Sequence, residues 1–303
     1  MRRLPLIAIL LLCAGAMCCA LSLGSVAPPH FKSAYAQLTL TGAGAGAPGG
    51  GGGCSQATAL LARMDGSQNS AAVTAAICGM VTDGVLAKLN AIHVEAINST
   101  ANAVLNWIST SYGLTPHGSC TFTASAGYTG DASTCYIDTG FNPYSASGNW
   151  TQNSVTFGGC NLASASYNVL MGIYGSAPGD STSVIDIADL GYTYNDWIVD
   201  SYGAPTTAYT SSVGSFIAVR NSSTNVGAYY NGSLLSNLTD SSANVTNGNL
   251  YLLAEENGGS ADSFSNHQIA YDIIGGALTG TDVTNIYNRL HTYLSTISAP
   301  GGC

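Results

Sequence analysis

The chain is 303 residues long, carries a formal net charge of −9, and has charged side chains at only 8 % of its positions. Beyond Ala36 there are four basic residues, Arg63, Lys88, Arg220 and Arg289, against sixteen acids. So little positive charge excludes the electrostatic footprint of a nucleic-acid binder and of a protein held to an anionic membrane surface.

Arg2 and Arg3 precede an apolar run, Leu4–Leu23, and Ala34-Tyr35-Ala36 puts small residues at both cleavage-determining positions before Gln37. This layout predicts a secretory signal over residues 1–36, and hence a secreted, periplasmic or cell-surface protein with no membrane insertion once the signal is removed. The run is about as long as a bilayer is thick, so a retained signal anchor is the alternative. Residues 37–53 include the Gly/Ala/Pro segment Thr41–Gly53, which cannot bury apolar surface and reads as a flexible linker.

Residues 54–111 read as a small helical prelude packed on the domain that follows. Ala57–Met64 is rich in Ala and Leu, and Asn69-Ser70 is placed to cap a second helix with Val73, Ile77 and Met80-Val81 on one face. Asp83-Gly84 closes it. A short turn near Leu86–Leu89 leads to the apolar stretch Ile92–Ile97, and Asn98 is the expected cap of a third helix carrying Ala103, Leu105 and Trp107-Ile108.

From residue 112 to 303 short β-branched and aromatic runs alternate with Gly, Asn, Asp and Pro clusters, the pattern of an antiparallel sandwich. Expected strands are Cys120–Ala124, Thr134–Asp138, Ser154–Phe157, Val169–Tyr174, Val184–Ile187, Trp197–Asp200, Ser215–Arg220, Gly227–Tyr230, Leu234–Leu235, Leu250–Ala254 and His267–Ile274. Asn231-Gly232 predicts a two-residue hairpin, because both central positions of a type I′ turn need φ > 0. Thr279 and Asp282 form a capping-box variant ahead of a helix over Asp282–Leu294, with Val283, Ile286-Tyr287 and Leu290 on one stripe. The fold class is mainly β, a jelly-roll sandwich with helices at both ends.

The stretches Leu105-Asn106-Trp107, Tyr112-Gly113-Leu114, Phe122-Thr123-Ala124, Gly127-Tyr128, Tyr136 through Pro143 and Thr151-Gln152-Asn153-Ser154 resemble a group of exported bacterial and prophage-associated proteins. That group is assigned to the concanavalin A-like lectin/glucanase sandwich, in its laminin-G-like branch. Tyr229-Tyr230-Asn231-Gly232 resembles the branch's hairpin. Phe264 through Ile269, followed by Gly276-Ala277-Leu278-Thr279, resembles its last core strand and helix. The resemblance spans nearly all of residues 54–298 and implies the fold, whereas function has to come from the site itself.

Six cysteines, Cys54, Cys78, Cys120, Cys135, Cys160 and Cys303, lie beyond the signal, and six permit fifteen pairings. Cys54 and Cys78 flank the first two helices, and a bridge there staples one to the other. Cys120 and Cys135 sit on successive expected strands and could face one another; Cys160 and Cys303 remain, pairable only if the C-terminus folds back, so the connectivity stays open. No Cys-x-x-Cys occurs in this part and no His stands at ligand spacing from a Cys, so disulfides are expected rather than a metal.

Enzyme signals are weak. A glycosidase needs two carboxyls about the scissile bond, yet the only glutamates are Glu95, Glu255 and Glu256, and Glu255-Glu256 reads as a strand end at a solvated rim. Gly179-Asp180-Ser181 resembles the nucleophile block of one esterase family but sits in a Pro/Gly/Ser loop and lacks that family's later Asp-x-x-His. The five histidines form no metal-binding pair by spacing.

Two binding features remain. Tyr192, Tyr194, Asn195 and Trp197 form the densest aromatic cluster among 17 Tyr and 3 Trp, and aromatic faces with amide neighbours suit neutral sugars. Asp186, Asp189 and Asp196 offer carboxylates to a calcium ion at a sheet rim, the one cofactor the sequence suggests. The six Asn-x-Ser/Thr triplets, at Asn98, Asn149, Asn221, Asn231, Asn237 and Asn244, mark surface modification only in a host that glycosylates. The sequence therefore points to an exported lectin-like module that binds an extracellular or cell-surface glycan without catalysis. The competing role is a self-associating surface or virion-associated decoration protein, with a polysaccharide hydrolase third.

Overall fold

A computed structural model describes residues 53–146, 148–164, 168–175, 181–187, 194–208, 211–301 and 303. The helices α1 (Ser55–Leu61) and α2 (Ser70–Thr82) come first, and a single turn of tighter helix at Leu86–Lys88 leads into β1 (Leu89–His93). After α3 (Thr100–Ala103) follow β2 (Thr115–His117), β3 (Thr121–Thr123), β4 (Gly127–Thr129), β5 (Tyr136–Asp138) and β6 (Val155–Asn161). Next are β7 (Asn168–Tyr174), β8 (Thr182–Ile187), β9 (Tyr194–Ser201), β10 (Thr206–Ala208), β11 (Gly214–Arg220), β12 (Asn225–Tyr230) and β13 (Ser233–Thr239). The chain closes with β14 (Tyr251–Leu252), β15 (Glu255–Asn257), β16 (Ser260–Asp262), β17 (Gln268–Gly275) and α4 (Gly280–Thr296).

The strands make two sheets that form a sandwich. One runs β13-β12-β11-β6-β17-β4-β3, with β1 also on β17; the other runs β10-β9-β8-β7-β14-β5-β2, with β15 and β16 attached through β7. Pairing is antiparallel throughout the described residues except where β15 lies parallel to β7. β6 and β11 are buried at every position, as strands covered on both faces must be. Between the sheets Trp197 of β9 meets Phe216 of β11 with ring centroids 6.2 Å apart. The apolar stripes of α2 (Val73, Ile77, Met80) and α4 (Val283, Ile286, Leu290) join the same buried cluster.

Local sequence chemistry accounts for the element ends. Asn69 caps α2 by accepting from Ala72 N–H at 3.1 Å. Thr279 and Asp282 make the full reciprocal capping box of α4. Asn231 and Gly232 hold φ of 47° and 74° in the β12–β13 turn, and Gly232 is also closed to a side chain by the Tyr287 ring 2.7 Å from where its Cβ would stand. Asp83 of the α2 C-cap receives Arg289 of α4 at 2.8 and 3.1 Å, tying the two helices together.

Three disulfides join Cys54 to Cys78, Cys120 to Cys135, and Cys160 to Cys303. The last ties the C-terminal residue to β6 across 143 positions. Bridges of this kind persist in oxidising compartments outside the cytosol. Among the described residues no helix is long and apolar enough to cross a membrane. The expected signal and most of the expected linker lie outside the described residues.

One expectation for the first segment is corrected, and the apolar stretch around Ile92 gains an element. It is β1, which pairs with β17 in the register His93↔Asp272 and so belongs to a sandwich sheet. The third helix is capped by Ser99, not Asn98, and ends after four residues at Ala103, because Asn106 turns its amide on the backbone of Asn90 and Ser111. Trp107 is then buried by tertiary contact, edge-on to Tyr293 of α4 at 5.2 Å.

Candidate functional site

Of the described residues of the aromatic cluster expected near residue 195, Trp197 is not part of an exposed platform. Trp197 and Asn195 are buried, while Tyr194 is exposed at the start of β9. The Trp197 indole N–H donates to Thr207 Oγ1 at 2.8 Å and its ring packs on Phe216. A ring enclosed by both sheets has no face to offer a sugar, so Trp197 is a core residue. Strand alternation explains the outcome: Tyr194, Asp196 and Ile198 point one way, Asn195, Trp197 and Val199 the other. Tyr192 and Asp189 lie outside the described residues. Asp186 and Asp196 are direct cross-strand partners on β8 and β9, both half-buried.

A different aromatic is presented to solvent. Between β5 and β6 the segment Pro143–Gln152, and between β13 and β14 the segment Asn244–Asn247, flank an open groove of about 680 Å³. Tyr144 is 70 % exposed at its edge. Its loop is fixed locally, with Asn142 Oδ1 accepting from Tyr144 N–H at 3.0 Å and Asn142 O accepting from Ala146 N–H at 2.8 Å. The two segments are laced together. Asn142 Nδ2 donates to Asn247 Oδ1 at 3.1 Å, Ser242 Oγ donates to Asn153 Oδ1 at 2.7 Å, and Gln152 Nε2 donates to Ala243 O.

Trp150 forms the floor. Its ring lies between Phe141 and Phe157, at 5.8 and 5.6 Å, and its Nε1–H donates to Asp200 Oδ2 at 2.9 Å. Asp200, at the end of β9 with φ +46°, is the hub beneath the groove. Oδ1 accepts from Thr246 N–H at 2.9 Å, from Thr246 Oγ1 at 2.8 Å and from Ser183 Oγ at 3.2 Å. Burial nevertheless raises its pKa, outweighing these hydrogen bonds. A buried Arg220 nearby donates from Nε to Val199 O at 2.8 Å and from Nη2 to Asp240 Oδ2 at 2.7 Å, so its charge is fully matched.

The nine groove-lining residues are Pro, Tyr, Ala, Trp, Thr, Gln, Asn and Val, none of them ionisable near neutral pH. Such a lining can stack on an apolar sugar face and exchange hydrogen bonds with hydroxyls, and among the described lining residues there is no carboxylate or imidazole. Glu255 and Glu256 lie elsewhere, in β15, rather than at a solvated strand end. Glu255 takes Ser263 Oγ at 2.7 Å, while burial raises its pKa; Glu256 is buried and accepts from Gly259 N–H. Among the described residues one group of three potential metal ligands converges, His93, Glu95 and Asp272. Sequence spacing could not show it, since Asp272 is 179 positions from His93.

No family model matches the chain, and no curated protein matches it. Solved structures similar to it include a mutant of the NanB sialidase from Streptococcus pneumoniae, with 16 % identity over 55 % of this chain and 27 % of that one, at a TM-score of 0.40. The receptor binding domain of a botulinum neurotoxin C/D mosaic serotype matches at 13 % identity over 67 % of this chain and 51 % of that one, at 0.44. The binding domain of botulinum neurotoxin serotype D matches at 11 % identity over 67 % and 52 %, at 0.45. This chain thus spans about a quarter of the sialidase's length and half of each toxin domain's.

Proposed function

We propose that this chain is an exported lectin-like module that binds a neutral glycan in the Tyr144 groove without transforming it. The observation that carries the reading is an exposed aromatic ring at the edge of an open groove whose lining is uncharged. Tyr144 supplies the stacking surface, Thr151, Gln152, Asn244 and Asn247 the hydrogen-bonding groups, and Trp150 a rigid floor. The sequence resemblance to the laminin-G-like branch of concanavalin A-like sandwiches and the signal-like N-terminus are consistent with this role. Calcium remains a candidate cofactor through Asp186 and Asp196, which lie opposite one another, with Asp189 as the third expected ligand.

The test is glycan-array binding by the full chain, its Tyr144→Ala variant and a Trp197→Phe variant, each with calcium and with chelator. Saturable binding lost in Tyr144→Ala and kept in Trp197→Phe supports the groove. Binding unaffected by Tyr144→Ala refutes it, and loss on chelation assigns the ion a part.

One observation favours the assembly role. Leu234 and Leu235, 47 % and 38 % exposed, sit on β13, the outermost strand of its sheet, and an exposed apolar edge strand is a ready template for another copy. Sedimentation of the full chain distinguishes the two: a dimer dispersed by Leu234→Lys supports assembly, and a concentration-independent monomer rejects it.

A further inference from the structure

His93 ends β1 and Glu95 stands two residues on, so both side chains emerge on one face of the extended backbone. The antiparallel register places Asp272 of β17 directly opposite His93, and the pairing continues with Ala96 N–H donating to Ala270 O at 2.9 Å. All three side chains are fully buried. One ligand atom from each lies within 4.8 Å of the others. β4 closes over them at Gly127, which has φ +87°; a Cβ there would come 3.2 Å from Glu95 Cβ and run into Ile269 O.

The hydrogen on His93 can be located from its partners. Nε2 is 2.6 Å from Tyr112 O, and a carbonyl only accepts, so Nε2 carries the hydrogen. Nδ1 then faces both oxygens of Asp272, at 2.9 and 3.0 Å. Both oxygens of Glu95 are buried without a hydrogen-bond donor from any other side chain, and the group nearest them is the carboxylate of Asp272. An imidazole and two carboxylates gathered within 4.8 Å in a fully buried position call for two positive charges, as two protons or as one divalent cation.

We propose that His93 Nδ1 and the carboxylates of Glu95 and Asp272 hold a structural divalent transition-metal ion, with zinc the best match to this donor set. A ring N–H given to a backbone carbonyl is the orientation that metal-ligating imidazoles take, because it fixes the tautomer and the ring plane. Two protons in place of the ion would sit on His93 Nδ1 and between Glu95 and Asp272, an arrangement that neither zinc nor chelator would change. An ion contacts both carboxylates and the imidazole together. Because the site is buried, the ion enters as the chain folds, and its binding contributes to folding stability.

The experiment is metal analysis of the full chain after folding with zinc and extensive dialysis, beside Glu95→Gln and His93→Gln. About one zinc per native chain, with affinity at least roughly tenfold weaker in the variants, supports the site. Cobalt(II) should then give the visible absorption of a low-coordinate nitrogen–oxygen site. Should the variants fail to fold, refolding of the native chain decides: a yield lost with chelator and restored by zinc supports the site. Three results overturn it. They are a metal-free native chain whose thermal midpoint ignores zinc and chelator, an equal yield with and without chelator, and full zinc occupancy in both variants.

Discussion

Replacing Asp200 with alanine removes the acceptor from which the groove floor and one of its walls are suspended. Four hydrogen bonds end on this carboxylate, from Trp150 Nε1, Thr246 N, Thr246 Oγ1 and Ser183 Oγ. The two hydroxyls can turn to one another, since their oxygens are already 2.9 Å apart. The indole and backbone N–H groups cannot. Each buried orphan costs about 1–3 kcal/mol, so the gross loss is about 2–6 kcal/mol. Removing a carboxylate that burial destabilises offsets part of this, while alanine at φ +46° is worse placed than aspartate. The expected net loss is about 3 kcal/mol, and Asp200→Asn, which keeps an acceptor oxygen, should lose less. Urea unfolding followed by tryptophan fluorescence gives the free energies, and the Trp150 indole proton in an NMR spectrum reports the broken bond. A loss below about 1 kcal/mol in Asp200→Ala, or an unmoved indole signal, would refute the account. The pH dependence supplies a sign. A folded pKa raised above the unfolded one makes the Asp200 contribution largest below the unfolded carboxylate range and lost as pH rises through the folded value, and Asp200→Ala should abolish that component.

Other outcomes follow from single contacts. Trp197→Ala should cost about 3–5 kcal/mol as a core deletion and leave groove binding intact in the molecules that stay folded; chemical denaturation and a binding titration check the two halves. Replacing Cys160 and Cys303 by serine opens a 143-residue loop and should cost about 2–5 kcal/mol, read by calorimetry with the other two bridges intact. Thr279→Ala should cost about 1 kcal/mol through the lost cap of α4. At the same helix start, burial pushes the Asp282 carboxyl up, but hydrogen bonds from Lys88 and Thr279 outweigh it and set the pKa below the usual value. Its contribution is therefore present above the unfolded carboxylate pKa and lost as pH falls through the folded one, a loss that Lys88→Met should flatten in acid titration.

The elements legible from residue order are those whose cause is local. Asn69, Asn231-Gly232 and Thr279-x-x-Asp282 each act through hydrogen bonds or dihedrals within four residues, and each stands where the sequence analysis put it. The β-branched runs between turn clusters likewise became strands, their ends shifting by a few residues where ladder pairing extended them. Ile92 was missed as a strand because its apolar neighbours carry no period, and only the partner β17 makes that stretch extended. Trp197 was misjudged as exposed because composition reports that aromatics are present, whereas the side each faces depends on which surface of β9 meets the opposite sheet.

By itself the sequence determined the class of the molecule. Its sparse positive charge, even cysteine count and alternating turns specify a mainly β, disulfide-bonded sandwich, since charge, covalent pairing and strand alternation need only short-range information. The tertiary structure alone decided the sites. Asn142 meets Asn247 across 105 positions, as His93 meets Asp272 across 179. Neither encounter leaves a spacing in the chain, because strand order and register, set by burial of the whole core, bring those residues together.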